Sequence, residues 1–349
     1  MMRSGGCWLL VFAGAACAPG PAGGAAAPGI AGPRESAQRG TRAQALEKRL
    51  AALAGASGGT VAVTVLHLPS GERASVNGGK RLPMMSVFKL PLALVTLAAV
   101  DEGRRTMREP VPLSPEEIRP TVSPVAEAWA KGEKAPPLET ILRTAIQDSD
   151  NTSGDKLVTL NGGGPSITAR LRALGIEGVD VAEQEIEIAG RIGCAGTTAP
   201  RGGWSPAALG ACKDPGAEAE LAAARREVEA SPNGATSDAL VAMLARLDRG
   251  DVLSTRSRAW LTATPEGTRT GTGRIKGRLP AGTRVGHKTG TGETIEGLNV
   301  ATNDVGIVYL PDGARLALAV LTSGVGGTDA ARDAVIAGIA REAYDAFVP

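Results

Sequence analysis

The chain runs to 349 residues with 43% hydrophobic content, enough apolar material for one large domain or two modest ones around a sizeable core. Its 38 Lys and Arg stand against 36 Asp and Glu, and with four Trp, two Tyr and three Phe it has neither the basic stripe nor the stacking platforms of a nucleic-acid surface. The two histidines, His67 and His287, lie far apart and flank no Cys or acidic cluster, which leaves little material for a metal site and argues against most Ser-His-Asp schemes; no cofactor is expected.

Met1-Met2-Arg3, an apolar stretch from Cys7 to Ala13 and small residues up to Cys17 read as a secretory signal over residues 1–17, too short to serve as an anchor. Cleavage within Ala15-Ala16-Cys17-Ala18 would release a periplasmic or secreted protein. Cys17, after two alanines, offers lipid attachment as the alternative, for which Gly14 is a poor third residue. Residues 18–35, rich in Ala, Gly and Pro, form a linker. No later segment approaches about 18 uninterrupted apolar residues, so no transmembrane span follows the signal, and the mature protein is expected to be a monomer. In an oxidising compartment Cys194 and Cys212 would be the remaining pair, and a disulfide closing the Gly- and Pro-rich loop between them is expected, with two free thiols as the alternative.

From Ser36, Leu46, Leu50 and Leu53 recur at helical spacing until Gly58-Gly59 ends the run. Thr60–Leu68 alternates Val61, Val63 and Val65 with smaller residues; with the turn Pro69-Ser70-Gly71-Glu72 and Arg73–Asn77 it predicts a β-hairpin, in which His67 is a structural residue. Helical periods follow over Leu90–Val100, Leu138–Gln147, Ile167–Leu174, Ala217–Glu229 and Ser237–Leu247. Strand signals return at Thr283–Lys288, Leu298–Leu310 and, after Pro311-Asp312-Gly313, Arg315–Thr322; Thr328 then caps a closing helix. Strands at both ends imply an α/β (α+β) protein. Residues 36–85 and 272–349 build a sheet domain, and residues 86–271 form an all-α domain inserted between them, with a cleft at the junction.

Three segments carry chemistry. Ser86-Val87-Phe88-Lys89 opens the long apolar helix, and a spacing of three puts the Lys89 amine on the face of the Ser86 hydroxyl, a weak nucleophile that needs an adjacent base. A second Ser-x-x-Lys, Ser153 to Lys156, lies in the polar run Ser149 to Lys156, so position favours Ser86. In Ser149-Asp150-Asn151, Ser149 can relay a proton to a departing amide nitrogen and Asn151 can bind a substrate amide. In Lys288-Thr289-Gly290, Lys288 and Thr289 can hold a carboxylate, while Gly290 lets an extended acyl chain lie against the strand.

Together, in this order, the three segments resemble the signature of the class A β-lactamases. The resemblance runs from about Leu46 to the end and includes Arg81–Pro91, Gly162–Pro165, Arg274–Pro280 and Ala301–Gly306. It implies a five-stranded antiparallel sheet flanked by helices plus an all-α domain, and hydrolysis of a small-molecule β-lactam. It also implies an oxyanion hole from the backbone N–H groups of Ser86 and Thr291, and a carboxylate site of Lys288, Thr289 and Thr291.

Acylation alone would make a D-alanyl-D-alanine peptidase or penicillin-binding protein; turnover needs a base that activates water. Family spacing lands on Glu185, with Glu183 and Glu187 as close competitors. Four residues past it, where relatives often carry a polar side chain, stands Ala189. The loop at about 186–232 is enlarged by roughly 35 residues, far beyond an ordinary connection. Val122 replaces a frequent aromatic gate, and Gly297 replaces a frequent arginine that Arg274, from a neighbouring strand, would replace in binding substrate. A third reading is a non-catalytic envelope protein that binds through the enlarged loop.

Overall fold

The computed structural model describes residues 33–119, 121 and 123–348. The signal segment, Cys17, the linker up to residue 32 and Val122 lie outside the described residues. The first helix begins at Pro33, ahead of the expected Ser36, and runs to Gly55.

The five-stranded sheet comprises β1 (Thr60–His67), β2 (Arg73–Val76), β3 (Val285–Thr291), β4 (Thr302–Tyr309) and β5 (Arg315–Ser323). Its order is β2-β1-β5-β4-β3, antiparallel throughout. Thr60 pairs with Ser323 and His67 with Leu316, so the strands nearest the two ends of the chain form the middle of the sheet. Period-two alternation gives each face its own core. Val61, Val63, Val65, Leu316, Leu318 and Val320 meet the helices Pro33–Gly55 and Asp329–Phe347, while Ala62, Ala317, Ala319 and Leu321 face the helical lobe. His67 is structural: Ser70 bonds its Nδ1 at 2.7 Å and Phe347 stacks on its ring.

The centre of the helical lobe is Lys89–Asp101, whose residues from Lys89 to Ala99 are all buried; a helix apolar on every side has no solvent face to offer. Around it pack Leu138–Gln147, Asn151–Leu160, Gly164–Ala173 and Thr255–Ala263. Asn151–Leu160 corrects the reading of Ser149 to Lys156 as a polar run: Ser153 is fully buried and bonds Thr144 at 2.7 Å, while Lys156 turns away to Glu117. The expected strand Leu298–Leu310 is also divided. Leu298–Asn299 closes a small hairpin with Thr294–Ile295, and β4 starts only at Thr302.

The enlarged loop is structured. Helix Glu185–Gly193 leads into it, the expected Cys194–Cys212 disulfide closes its first part, and helix Ala217–Ala230 returns the chain to Asn233. No helix among the described residues is long and apolar enough to cross a membrane.

Candidate active site

The junction between sheet and helices is built around the turn before the central helix. Asn303 of β4, fully buried, donates from Nδ2 to the carbonyls of Pro83 (2.8 Å) and Met84 (3.0 Å), pinning this turn to the sheet. Met85 is held at a φ of 45°, a left-handed conformation that costs about 1–3 kcal/mol and persists only where surroundings enforce it. The chain then makes one 3₁₀ turn, Met85–Phe88, which leaves Ser86 half-buried at this junction.

Lys89 is fully buried beneath it. Its Nζ lies 2.9 Å from Ser86 Oγ, 2.7 Å from the Ser149 carbonyl and 2.6 Å from Asn151 Oδ1. The room for this side chain comes from Gly154, where a Cβ would sit 2.5 Å from Lys89 Cε. The second Ser-x-x-Lys segment thus serves the first.

Ser149, itself at a φ of 58°, accepts a hydrogen bond at 2.9 Å from Lys288 Nζ. Asp150 fixes the turn by capping Ser153 N–H and accepting from Ser123 Oγ. Burial, reinforced by the Lys89 charge, holds the Lys288 ammonium well below its usual range. Thr289 shares a 2.6 Å hydroxyl contact with Thr270, and Thr291 is exposed at the end of β3.

One expectation changes here. Arg274 comes not from a strand but from the turn before the short 3₁₀ helix Ile275–Arg278; it pairs with Asp333 at 2.7 Å and donates to Thr291 Oγ1 at 2.7 Å. Gly290 also has a structural reason to be bare: a Cβ there would lie 2.4 Å from the Met84 carbonyl, so the missing side chain admits the serine-bearing turn.

The three candidate glutamates separate by their contacts. Glu183 pairs with Arg191 at 2.6 Å, and Glu187 accepts the Trp204 backbone N–H. Glu185 faces the junction, its Oε1 accepting from Ser86 Oγ at 2.6 Å and lying 3.4 Å from Lys89 Nζ. Asp155, which the sequence reading passed over, orients it: Oδ1 accepts the Glu185 N–H at 2.6 Å and Oδ2 binds Arg119 at 2.6 Å. Ala189 is exposed and supplies no polar atom beside Glu185.

Ser86, Lys89, Ser149, Asn151, Glu185 and Lys288 therefore form one connected hydrogen-bonded group, with Thr289, Gly290, Thr291 and Arg274 along the adjoining strand edge. The arrangement is a serine hydroxyl held between a lysine amine and a carboxylate. Residues 45–347 match the profile of the β-lactamase enzyme family. The extended-spectrum β-lactamase PER-1 of Pseudomonas aeruginosa is 30% identical over 286 residues, 82% of each chain. A solved β-lactamase from Chitinophaga pinensis superposes with a TM-score of 0.72 at 30% identity, over 86% of this chain and 99% of that one. A class A β-lactamase structure from Bacteroides cellulosilyticus gives 0.71 at 27%, over 87% and 98%. The chain belongs to the class A β-lactamases, hydrolases associated with antibiotic resistance.

Proposed function

We propose that the protein opens the β-lactam amide by attack of Ser86 and releases the resulting ester with a water activated by Glu185. The observation that carries this reading is the pair of contacts on one hydroxyl, Glu185 Oε1 at 2.6 Å and Lys89 Nζ at 2.9 Å.

In acylation the Ser86 proton has two destinations. Glu185 takes it directly, or the Lys89 amine takes it after passing its own proton to Glu185 across 3.4 Å. The Ser86 and Thr291 N–H groups hold the developing oxyanion, a role worth about 10²–10³ in rate per donor. As the C–N bond breaks, Ser149 gives its hydroxyl proton to the leaving nitrogen and is reprotonated from the Lys89–Glu185 pair by way of Lys288, which leaves Glu185 a carboxylate again. Lys288, Thr289, Thr291 and Arg274 receive the substrate carboxylate, and Asn151 receives its side-chain amide. In deacylation Glu185 takes a proton from water, which attacks the ester, and Ser86 leaves by taking that proton back from Glu185. Ala189 offers this water no hydrogen bond, so Glu185 and the Ser86 region hold it. Export to an oxidising compartment belongs to the same reading and is supported by the Cys194–Cys212 disulfide.

Nitrocefin turnover by the full chain tests the proposal: Ser86→Ala should abolish it, and activity equal to wild type would sink the assignment. Glu185→Gln should accumulate a penicilloyl adduct on Ser86 by intact mass, with deacylation slowed about 10²–10⁴-fold. A wild-type adduct as durable as the variant's would instead favour a penicillin-binding protein.

A further inference from the structure

The enlarged loop touches the site from behind. Helix Glu185–Gly193 carries Glu185 in its first turn, and Arg191 lies near its end. From there Arg191 bonds Glu183 at 2.6 Å, just before the helix, and Glu227 at 2.7 Å, in helix Ala217–Ala230. Glu227 is almost wholly buried and also accepts from Ser231 Oγ. A buried carboxylate held on both oxygens fixes its cation in one place. The next turn of the same helix is anchored twice more. Trp204 packs so closely on Gly190 that a Cβ there would fall 2.3 Å from the indole, and Cys194, directly after the helix, is bonded to Cys212.

An apolar cluster completes the attachment. Ile188 and Ile192 pack with Ala224, Leu221 and Val228 of helix Ala217–Ala230, with Ile295 and Leu298 of the small hairpin, and with Met85. The insertion thus reaches the outer face of the glutamate helix and the residue beside the nucleophile. Ser86 has its own support, because Asn303 holds the turn before it from the sheet side. Asp155 holds the Glu185 N–H, Thr159 holds Gln184 and Asn233 holds the Glu183 N–H at the start of this helix, and the insertion supports the rest of it.

We propose that the inserted segment Gly190–Ser231 is an intramolecular brace for deacylation, with Arg191 the positioning residue that fixes Glu185 and the Cys194–Cys212 disulfide its staple. The inference rests on the assignment of Glu185 as the base for release. It acts on release more than on acylation because in acylation Glu185 already touches both Ser86 Oγ (2.6 Å) and Lys89 Nζ (3.4 Å) and accepts the proton by either route, whereas the attacking water depends on the position of Glu185 alone. No new chemistry is required: the brace fixes where a carboxylate oxygen stands, and displacements of the order of 1 Å at such a group cost about 10²-fold in rate.

Stopped-flow acylation and deacylation with benzylpenicillin, paired with intact mass, tests this on the full chain. For Cys194→Ser with Cys212→Ser, deacylation should slow about tenfold while acylation stays within about threefold and the Ser86 adduct becomes visible. Arg191→Met should show the same split, more strongly, and Arg191→Lys should recover part of it. The serine pair removes no buried charge, so it reports on the brace even if Arg191→Met folds poorly. Wild-type release in the serine pair and in Arg191→Lys, or equal losses in both steps, overturns the brace. Glu185→Gln in parallel separates the two readings: if it fails to trap adduct, the assignment of the base falls; if it traps and the brace variants release normally, only the brace falls.

Discussion

Gly290 sits where β3 backs onto the serine-bearing turn, and the 2.4 Å between a Cβ there and the Met84 carbonyl leaves no relaxation that keeps both in place. Gly290→Ala should therefore lower kcat/KM by about 10²-fold by moving Ser86 relative to Thr291, with a smaller effect on stability; near wild-type nitrocefin kinetics would show that the turn can yield. Asp155 answers a different question. Burial pushes its carboxyl from 3.8 up to about 6, against the pull of Arg119. A value raised in the folded state means that the native form holds the proton more tightly. Its contribution to stability is then full below about pH 4 and is lost as pH rises through about 6, on the order of 3 kcal/mol at about 1.4 kcal/mol per unit. Urea midpoints of wild type and Asp155→Asn should diverge across that window, with the wild type losing ground as pH rises; parallel profiles would contradict the shift. That Ser86, Lys89, Ser149 and Lys288 come together was legible because the three segments carrying them have fixed internal spacings along the chain. Gly154 and Asp155 were not, since what they do depends on which helix lies across from them: one makes room for Lys89 and the other caps Glu185.

Among the elements, the two terminal helices, five of those between them and the N-terminal hairpin could be read from periodicity, while helices Asn151–Leu160, Glu185–Gly193 and Thr255–Ala263 and the edges at the site could not. Leu298–Leu310 is one apolar run, and nothing in its pattern marks the break after Asn299. Asn299 Nδ2 bonds the carbonyl of Gly292 at 3.0 Å, and its Oδ1 accepts from Thr302 Oγ1, so the chain turns at Val300-Ala301 before β4. Arg274, expected on a neighbouring strand, instead follows a turn at Gly271, whose φ is 62°, and leads into the 3₁₀ helix Ile275–Arg278. Asn303 shows what the β4 register does for the site. Its Oδ1 accepts the Thr322 N–H of β5 at 2.8 Å while its Nδ2 holds Pro83 and Met84, so one side chain links two strands to the turn that carries Ser86. Asn303→Ala leaves buried partners unsatisfied and should cost about 1–3 kcal/mol. It should also slow the acylation burst, because Met85 loses the restraint that keeps it left-handed; a variant with reduced stability but an unchanged burst would mean that Gly290 and the sheet suffice to hold the turn.

At the scale of the molecule, the chain order suggests two domains, residues 36–85 with 272–349 and residues 86–271, yet the apolar packing does not respect that division. The largest core joins Ala62, Val305, Ile307, Ala317, Ala319 and Leu321 of the sheet to Leu90, Leu94, Leu97, Leu142, Leu157 and Leu244 of the helical lobe without a polar layer between them. Neither lobe could unfold alone without exposing the inner face of the other, and the hydrogen-bonded group at the candidate site draws Ser86 and Glu185 from one side and Lys288 from the other. A shared core of this kind predicts one cooperative transition. The aromatic residues allow a direct test. Trp129 and Trp260 pack against the helical core and Trp204 against the insertion, whereas the sheet side carries Tyr309 and Tyr344. In urea, tryptophan fluorescence, far-UV circular dichroism and nitrocefin activity should share one midpoint. An earlier loss of activity together with only the Trp204 part of the fluorescence change, removed in Trp204→Phe, would instead identify the insertion as a separately opening unit. Fluorescence and dichroism transitions separated in the Trp204→Phe protein as well would show the lobes unfolding independently and would restore the two-domain division.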